Sequence, residues 1–312
     1  MPPNFTIMKF KLVLLLLILS THTVFGQINM SDSTVQVIGY WNLGDQETYE
    51  VSYEKYTIKE QDTTSRSMIN YEIEITIKDS TAHSFTIEWL YKNYKTDTEN
   101  ELAQKISKAA EDISVIIKTD EFGAVEEVLN WKEVRDYMRK VMKPLKKELQ
   151  KLPGAEEIIN QSLATYSTKE SIESNAIKDA IQFYTFHGGL YTLNEELTGQ
   201  MQFANNYGTD PFDVKVILSL DEINEENDNS VIRMTQTVDS DQLTKVTYEY
   251  LKSIGTFGDK MPDIKDLPAL TNTIWTASRI HGTTGWVTYS VETKEVTSDK
   301  TVNIEERIIQ IK

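Results

Sequence analysis

Cysteine is absent from this sequence, so the chain can form no disulfide and can carry no lipid on sulfur. Small secreted domains commonly depend on disulfides, and the absence argues against that class. It also excludes the structural zinc sites that are built from cysteine thiolates. The fold must therefore be stabilised by burial of apolar side chains, and 312 residues are enough for a large core.

Histidine is scarce, with four residues in the chain, and no HExxH pattern or histidine pair at helical spacing occurs. Neither a GxSxG nucleophile elbow nor a glycine-rich loop at nucleotide-binding spacing is present. The acidic segment at residues 221–229 suggests calcium, but an EF-hand loop needs a glycine and this segment has none. We interpret that segment as a solvated hairpin connection and expect no metal, no cofactor and no catalytic residues.

A long apolar run occurs once, near the N-terminus. Lys9 and Lys11 precede the apolar run at residues 12–19. A short polar stretch then ends at the small residue Gly26. This order is typical of a signal peptide that is cleaved after Gly26, with Met8 as the true start. A transmembrane anchor, the alternative, needs about 20 apolar residues. We therefore expect a periplasmic or secreted protein whose mature chain has no transmembrane anchor.

Positive charge is in deficit. The chain has 32 basic and 48 acidic residues, a net charge of −16 with histidine neutral. Removal of residues 1–26 takes away two lysines and no acids, which leaves a net charge of −18. Phosphate backbones attract clusters of lysine and arginine, so a chain of this charge is not expected to bind nucleic acid.

Strict alternation of apolar and polar residues predicts strands with one buried face. The alternation at residues 71–77 resumes at residues 85–91, after a turn at residues 79–81, which predicts an antiparallel hairpin. A preceding strand begins at Tyr49, and a shift of its apolar face predicts a bulge near Lys55. The same alternation predicts C-terminal strands near residues 212–220, 232–238, 275–280, 286–296 and 302–311.

The middle of the chain has a helical period. Apolar residues recur every three or four positions from Trp131 to Leu149, which predicts a helix that Asn130 would cap. Pro144 would break this helix into two pieces. A second helix would start at a cap on Ser167 and stop at the glycine pair 188–189.

We predict an α+β fold built on a large, curved antiparallel sheet. Its parts are the signal peptide (1–26), a strand-rich part (27–129), a helical block (130–189) and a second strand-rich part (190–312), and the last three form one compact domain. In the first part, the hairpin at residues 71–94 is followed by a helix predicted at residues 101–110 and by two strands around residues 119–123. In the second part, a helix predicted near residues 239–251 separates two pairs of strands, so both parts have the order strand, strand, helix, strand, strand. One interpretation is a duplicated ββαββ half with a helical insertion between the copies, and the other is accidental similarity.

Aromatic residues crowd the first strands and the end of the helical block. Core packing is one interpretation, and an apolar cleft between sheet and helices is the other. His187 would lie in the last turn of its helix, where a cation interacts favourably with exposed carbonyls. If a cleft exists, the predicted ligand-binding residues are Trp89, Tyr91, Phe183, Phe186 and His187.

Several features resemble uncharacterised exported proteins of the Bacteroidota. They are the leader ending at residues 24–27, the tyrosine-rich early strands, and the hairpin at residues 119–123 before Asn130 and Trp131. This resemblance covers most of the chain and implies no activity. At the level of the fold, a curved sheet with helices on one face is similar to periplasmic lipoprotein carriers, whose sheet holds acyl chains.

These observations favour a non-catalytic binding or scaffolding protein of the periplasm or cell envelope. Its expected partner is an apolar small molecule or a peptide of an envelope protein. The alternatives are a hydrolase of envelope polymers with two facing carboxylates, and a structural subunit of an envelope assembly with an exposed apolar patch. A cavity of several hundred Å³, lined by aromatic residues without converging acids, would favour binding.

Overall fold

A computed structural model describes residues 27–98, 101–149, 152, 154–205, 210–255 and 262–312. The predicted signal peptide lies outside these residues. The fold is α+β and consists mostly of antiparallel strands, as the alternation predicted. The described strands are β1 (Ile28–Asn29), β2 (Thr34–Gln36), β3 (Gln46–Lys59), β4 (Asp62–Ser80), β5 (Ser84–Thr96), β6 (Ser114–Asp120), β7 (Val125–Val128), β8 (Leu190–Thr192), β9 (Glu196–Phe203), β10 (Phe212–Asn224), β11 (Asn229–Val238), β12 (Leu270–His281), β13 (Val287–Ser298) and β14 (Thr301–Ile311).

One large open sheet organises the molecule. It has 11 strands in the order β7-β6-β5-β4-β3-β14-β13-β12-β11-β10-β9, and neighbouring strands are antiparallel. A separate sheet contains β1, β2 and β8. The two strand-rich parts meet where β3 pairs with β14, which places Tyr53 opposite Arg307. The bulge predicted near Lys55 lies two to three residues later, between Thr57 and Ile58.

The helices lie between and beside these strands. They are α1 (Glu101–Ala109), α2 (Trp131–Leu149), α3 (Ala155–Thr165), α4 (Lys169–Ser171), a π-helical turn (Ile172–Ala176), α5 (Lys178–Tyr184) and α6 (Ser240–Ser253). Helix α2 contacts β6 and α5 contacts β13, while α6 contacts β10 and β12. The helical block therefore covers part of the sheet and α6 covers another part.

The sheet has one apolar face and one charged face. In β4, Ile73, Ile75 and Ile77 are fully buried against the helical block. On the opposite face Glu74 forms an ion pair with Lys92, with 3.0 Å between Oε2 and Nζ. This arrangement explains the strict alternation of the strands, because only one of their faces is covered.

The two strand-rich parts have the element order predicted from the sequence. In the first, β4, β5, α1, β6 and β7 follow one another, and the four strands are consecutive neighbours in the sheet. In the second, the same holds for β10, β11, α6, β12 and β13. The duplication stays a prediction, because a shared order of elements can arise without a common origin.

Helix α2 runs through Pro144 without a break, so the prediction of two pieces is wrong. Pro144 and Lys140 are both exposed, so water can reach the carbonyl of Lys140 that loses its usual donor. Val134, Met138 and Met142 before the proline and Leu149 after it are all buried. Tertiary packing of these residues outweighs the local cost of the proline.

The predicted helix caps also differ. The side chain of Asn130 accepts a hydrogen bond from the Ile116 amide at 2.8 Å and donates one to the Ser114 carbonyl at 2.9 Å, so it attaches α2 to β6. The cap predicted at Ser167 lies one residue later. Thr168 caps α4, because its hydroxyl accepts a hydrogen bond from the Ser171 amide at 3.1 Å.

Gly188 ends the helical block as predicted. It has a φ of +86°, in the left-handed region that glycine adopts at little steric cost. Its amide donates to the carbonyl of Val37 at 2.8 Å, which fixes the exit of the block beside β2. The chain then enters β8.

Candidate functional site

The five residues predicted to bind a ligand are almost all core residues. Trp89, Phe183 and Phe186 are fully buried, and Tyr91 and His187 are nearly so. The rings of Trp89 and Phe183 pack edge to face with centroids 5.4 Å apart. Tyr91 lines a small cleft described below, whereas the other four belong to the aromatic core. Their role in ligand binding stays a prediction.

His187 is buried beyond the end of α5 and not exposed in its last turn. Its Nε2 donates to the carbonyl of Gly285 at 2.9 Å, and Nδ1 has no hydrogen-bond partner within the described ranges. Burial lowers the pKa of His187 to about 4. The ring is therefore neutral at pH 7 and cannot act as the helix-terminal cation that the sequence predicted.

An open cleft of about 580 Å³ lies between α5 and the half of the sheet that runs from β3 through β14 to β9. This volume is in the range of about 300–1,000 Å³ that is typical of small-molecule sites. Ile181 of α5 and Met201 of β9 are 41% and 40% exposed. The main apolar side chains that line the cleft are Ile181, Met201, Phe203, Met234 and Ile274.

The sheet side of the cleft changes from charged to apolar across the strands. In one cross-strand row, Arg307 of β14 is opposite Glu292 of β13. The row continues through Thr276 of β12 to Met234 of β11 and Leu218 of β10. The next row, from β3 to β9, contains Lys55, Glu305, Lys294, Ile274, Gln236, Val216 and Gly199 in that order. Both rows are thus charged on β14 and β13. Beyond them the first row becomes apolar at Met234, and the second row has no further charged residue.

Arg307 is the buried centre of the charged end. Its Nε lies 2.8 Å from Oδ1 of Asp179 on α5, and a terminal nitrogen lies 3.2 Å from Oε1 of Glu292. Asp179 also accepts a hydrogen bond from the hydroxyl of Tyr71 at 2.9 Å. Burial alone would lower the pKa of Arg307, but Asp179 and its other neighbours raise it above the ordinary value.

The acids that line the cleft are each held by a cation. Glu305 accepts from the Tyr53 hydroxyl at 2.8 Å and forms an ion pair with Lys55 at 3.1 Å. Burial alone would raise the pKa of Glu305, but Lys55 and Tyr53 outweigh that effect and lower it. Burial raises the pKa of Glu292, against the opposing charge of Arg307. A lining of aromatic residues without converging acids would have favoured binding, and this cleft does not meet that criterion at its charged end.

Two lysines in the cleft form no ion pair with an acid that the structure describes. Lys178 of α5 and Lys294 of β13 line the cleft and form no hydrogen bond or ion pair with any residue that the structure describes. Burial, and next the charge of Arg307, lower the pKa of Lys178. Among the described residues, the charged end therefore contains two cations that form no ion pair, although the charge of Lys294 helps to lower the pKa of Glu305.

A smaller cleft of about 250 Å³ adjoins the charged end. Tyr53, Lys178 and Arg307 line both clefts. The hydroxyl of Tyr91 is buried here without a hydrogen-bond partner in the described part of the chain. The other tyrosines that line it are Tyr71, Tyr94 and Tyr166.

Sequence reasoning did not identify Arg307, Lys178 or Lys294. A signal for the first was present, because alternation in β14 places Arg307 on the same face as the fully buried Ile309. A charged residue at a buried strand position points to an ion pair or a site. The two lysines carried no comparable local signal.

No described helix is both long and apolar enough to cross a membrane. Within the described ranges, no group of three or more histidine, aspartate or glutamate residues is placed to hold a metal ion.

The chain matches no protein family and no curated protein. Among solved structures it is similar to lipovitellin, in a structure that concerns lipid–protein interactions, with 11% identity and a TM-score of 0.39. That likeness covers 87% of this chain and 25% of the lipovitellin chain. An outer membrane channel from Pseudomonas putida F1 has 7% identity and a TM-score of 0.15, over 88% of this chain and 98% of the channel. Similarities this low do not show what the chain binds.

Proposed function

We propose that this protein is a non-catalytic binding protein that holds an apolar ligand in the larger cleft. The observation that carries the proposal is the exposed apolar lining on opposite sides of the cleft, Ile181 on α5 and Met201 on the edge strand β9. Burial of apolar surface is worth about 25 cal/mol per Å², so an apolar ligand between these side chains would be stabilised.

The arrangement of the acids supports binding over hydrolysis. A glycoside hydrolase requires one carboxyl group that donates a proton and a second that acts as base or nucleophile. In this cleft Glu305 is held by Lys55 and Tyr53, and Glu292 is paired with Arg307. Neither is free for that chemistry in the described structure.

Titration with the uncharged fluorophore N-phenylnaphthylamine, which becomes fluorescent in apolar sites, tests the proposal. The wild-type protein is expected to bind the probe. Met201→Trp places a larger side chain in the cleft and is expected to weaken binding by about tenfold, since the indole ring takes up part of the space that the ligand needs.

Gln200→Trp is the matched control, because it introduces the same ring on the same strand but on the opposite face of the sheet. Its probe affinity should equal that of the wild type. Absence of probe binding to the wild type, or equal binding by the two tryptophan variants, would exclude the cleft as the apolar site.

We also propose that the protein works outside the cytoplasm after removal of residues 1–26. The support is the order of two lysines, an apolar run and a small residue in the sequence. N-terminal sequencing of the protein from its native cells is expected to begin near Gln27. A native chain that retains residues 12–19 would contradict export with cleavage.

A further inference from the structure

We propose that the ligand is an amphiphile with an anionic head, and that Lys178 and Lys294 bind this head while the apolar part lies toward β9. This inference rests on the proposed function of the larger cleft. It adds the chemical class of the ligand, its orientation and the residues that select it.

The change of polarity across the sheet sets the orientation. Lys294 of β13 is opposite Glu305 on one side and Ile274 on the other, so it lies at the boundary between the charged and the apolar parts. Beyond Ile274 the lining consists mainly of apolar side chains up to Met201 and Phe203. A purely apolar ligand would leave the charged part of the cleft unused, whereas an amphiphile matches both parts.

The balance of charge at the charged end of the cleft determines whether the head group of the ligand is an anion or a cation. Three acids are present here, Asp179, Glu292 and Glu305. They lie beside four cations, which are Arg307, Lys55, Lys178 and Lys294. Arg307 pairs with two of the acids and Lys55 with the third. This leaves Lys178 and Lys294 as cations without an ion pair among the described residues, in a chain whose net charge is −16. A local excess of positive charge in an acidic protein favours an anion at this point.

The two lysines also interact unfavourably with each other. The charge of Lys294 contributes to lowering the pKa of Lys178, after the larger effects of burial and Arg307 and against the charge of Glu305. Lys178 comes from α5 and Lys294 from the sheet, so the two ammonium groups approach the cleft from different elements. A carboxylate or phosphate between them would accept charge-assisted hydrogen bonds from both and relieve the repulsion.

Calorimetric titration with dodecanoate and dodecanol tests the inference, because these probes share a chain and differ in the charge of the head. We expect the wild-type protein to bind dodecanoate about a hundredfold more tightly than dodecanol, the scale of one charge-assisted hydrogen bond from each lysine. Lys178→Met and Lys294→Met should each weaken dodecanoate binding by about tenfold and leave dodecanol binding unchanged. Unchanged dodecanol binding also shows that each variant is folded.

Lys140→Met is the matched control, since Lys140 is exposed on α2 and its removal changes the net charge equally. Lys178→Arg keeps the charge and should keep the preference for dodecanoate. Two results would overturn the inference of an anionic head group: equal affinity of the wild type for both probes, or an equal loss of dodecanoate affinity in Lys140→Met. Either result would leave the proposal of an apolar cleft intact. Failure of dodecanol and N-phenylnaphthylamine to bind would instead overturn the proposed function itself.

Discussion

Arg307 shows how one side chain connects three elements at the residue scale. It belongs to β14, and its guanidinium group contacts Asp179 on α5 and Glu292 on β13. Only 8% of the residue is exposed, so its ion pairs are largely shielded from water. Loss of a buried charge is costly mainly because its partners stay behind without a counter-ion.

Replacement of this arginine, as Arg307→Met, is expected to lower the free energy of unfolding by about 3–5 kcal/mol. Urea denaturation measures this loss. The double variant Arg307→Met with Asp179→Leu should lose less than the sum of the two single changes, because the stranded carboxylate of Asp179 is then absent. Strict additivity would contradict a direct pairing of Arg307 with Asp179.

Two buried tyrosines provide a matched test of hydrogen bonding. The hydroxyl of Tyr49 has no partner among the described residues, whereas that of Tyr184 accepts from Nε1 of Trp89 at 3.3 Å. Tyr49→Phe should therefore leave the stability unchanged or raise it by about 1 kcal/mol. Tyr184→Phe should lower it by about 1–3 kcal/mol, because the indole N–H is left unpaired. A larger loss in Tyr49→Phe than in Tyr184→Phe, seen by chemical denaturation, would contradict this account.

His187 makes the stability depend on pH. Its pKa is about 4 in the folded protein, through burial, against 6.5 for an unperturbed histidine. Between these values the unfolded chain binds the proton and the folded one does not, so stability is lost as the pH falls below 6.5 toward 4. The loss from this group is about 2–3 kcal/mol between neutral pH and about pH 4.5.

The check is the unfolding free energy of the wild type and of His187→Gln at both pH values. Carboxylates contribute equally in both proteins, so the difference between the proteins isolates the histidine. We expect the variant to be relatively more stable at low pH by that amount. A difference that stays constant with pH would show that His187 is not buried in its neutral form.

At the scale of a single element, Pro144 tests whether α2 is an unbroken helix. The proline lies on the exposed side of α2 and removes one hydrogen bond from an otherwise continuous helix. Pro144→Ala should raise the free energy of unfolding by about 2 kcal/mol, because the helical cost of about 3 kcal/mol is partly offset by a more flexible unfolded chain. Pro144→Gly should gain about 1 kcal/mol less. Thermal unfolding measures both, and a lower melting temperature for Pro144→Ala would contradict an unbroken α2.

At this scale the sequence predicted those elements whose side chains keep a strict period. The alternation of β4 and the stop at Gly188 are local features, and both are present. Strand β9 was missed because its side chains are mostly exposed, so no burial imposes alternation on its residues. The cap predicted at Asn130 failed because the side chain binds to β6, a contact that depends on tertiary structure.

At the scale of the whole molecule, the cleft depends on contacts between residues far apart in the chain. The pairing of β3 with β14 brings Tyr53 beside Arg307, and α5 then places Asp179 against Arg307. No local pattern predicts such a pairing, which is why the aromatic residues identified the core and not the cleft. The alternation in β14 carried the one usable hint, an arginine on a buried face.

The central claim is that the larger cleft holds an apolar ligand. Native mass spectrometry of the protein purified from its own cells tests this most directly, with Met201→Trp and Gln200→Trp beside the wild type. We expect the wild type and Gln200→Trp to carry an additional mass that organic extraction identifies as an amphiphile, and Met201→Trp to carry it at clearly lower occupancy. A wild-type protein without additional mass, or equal occupancy in Met201→Trp, would contradict the claim.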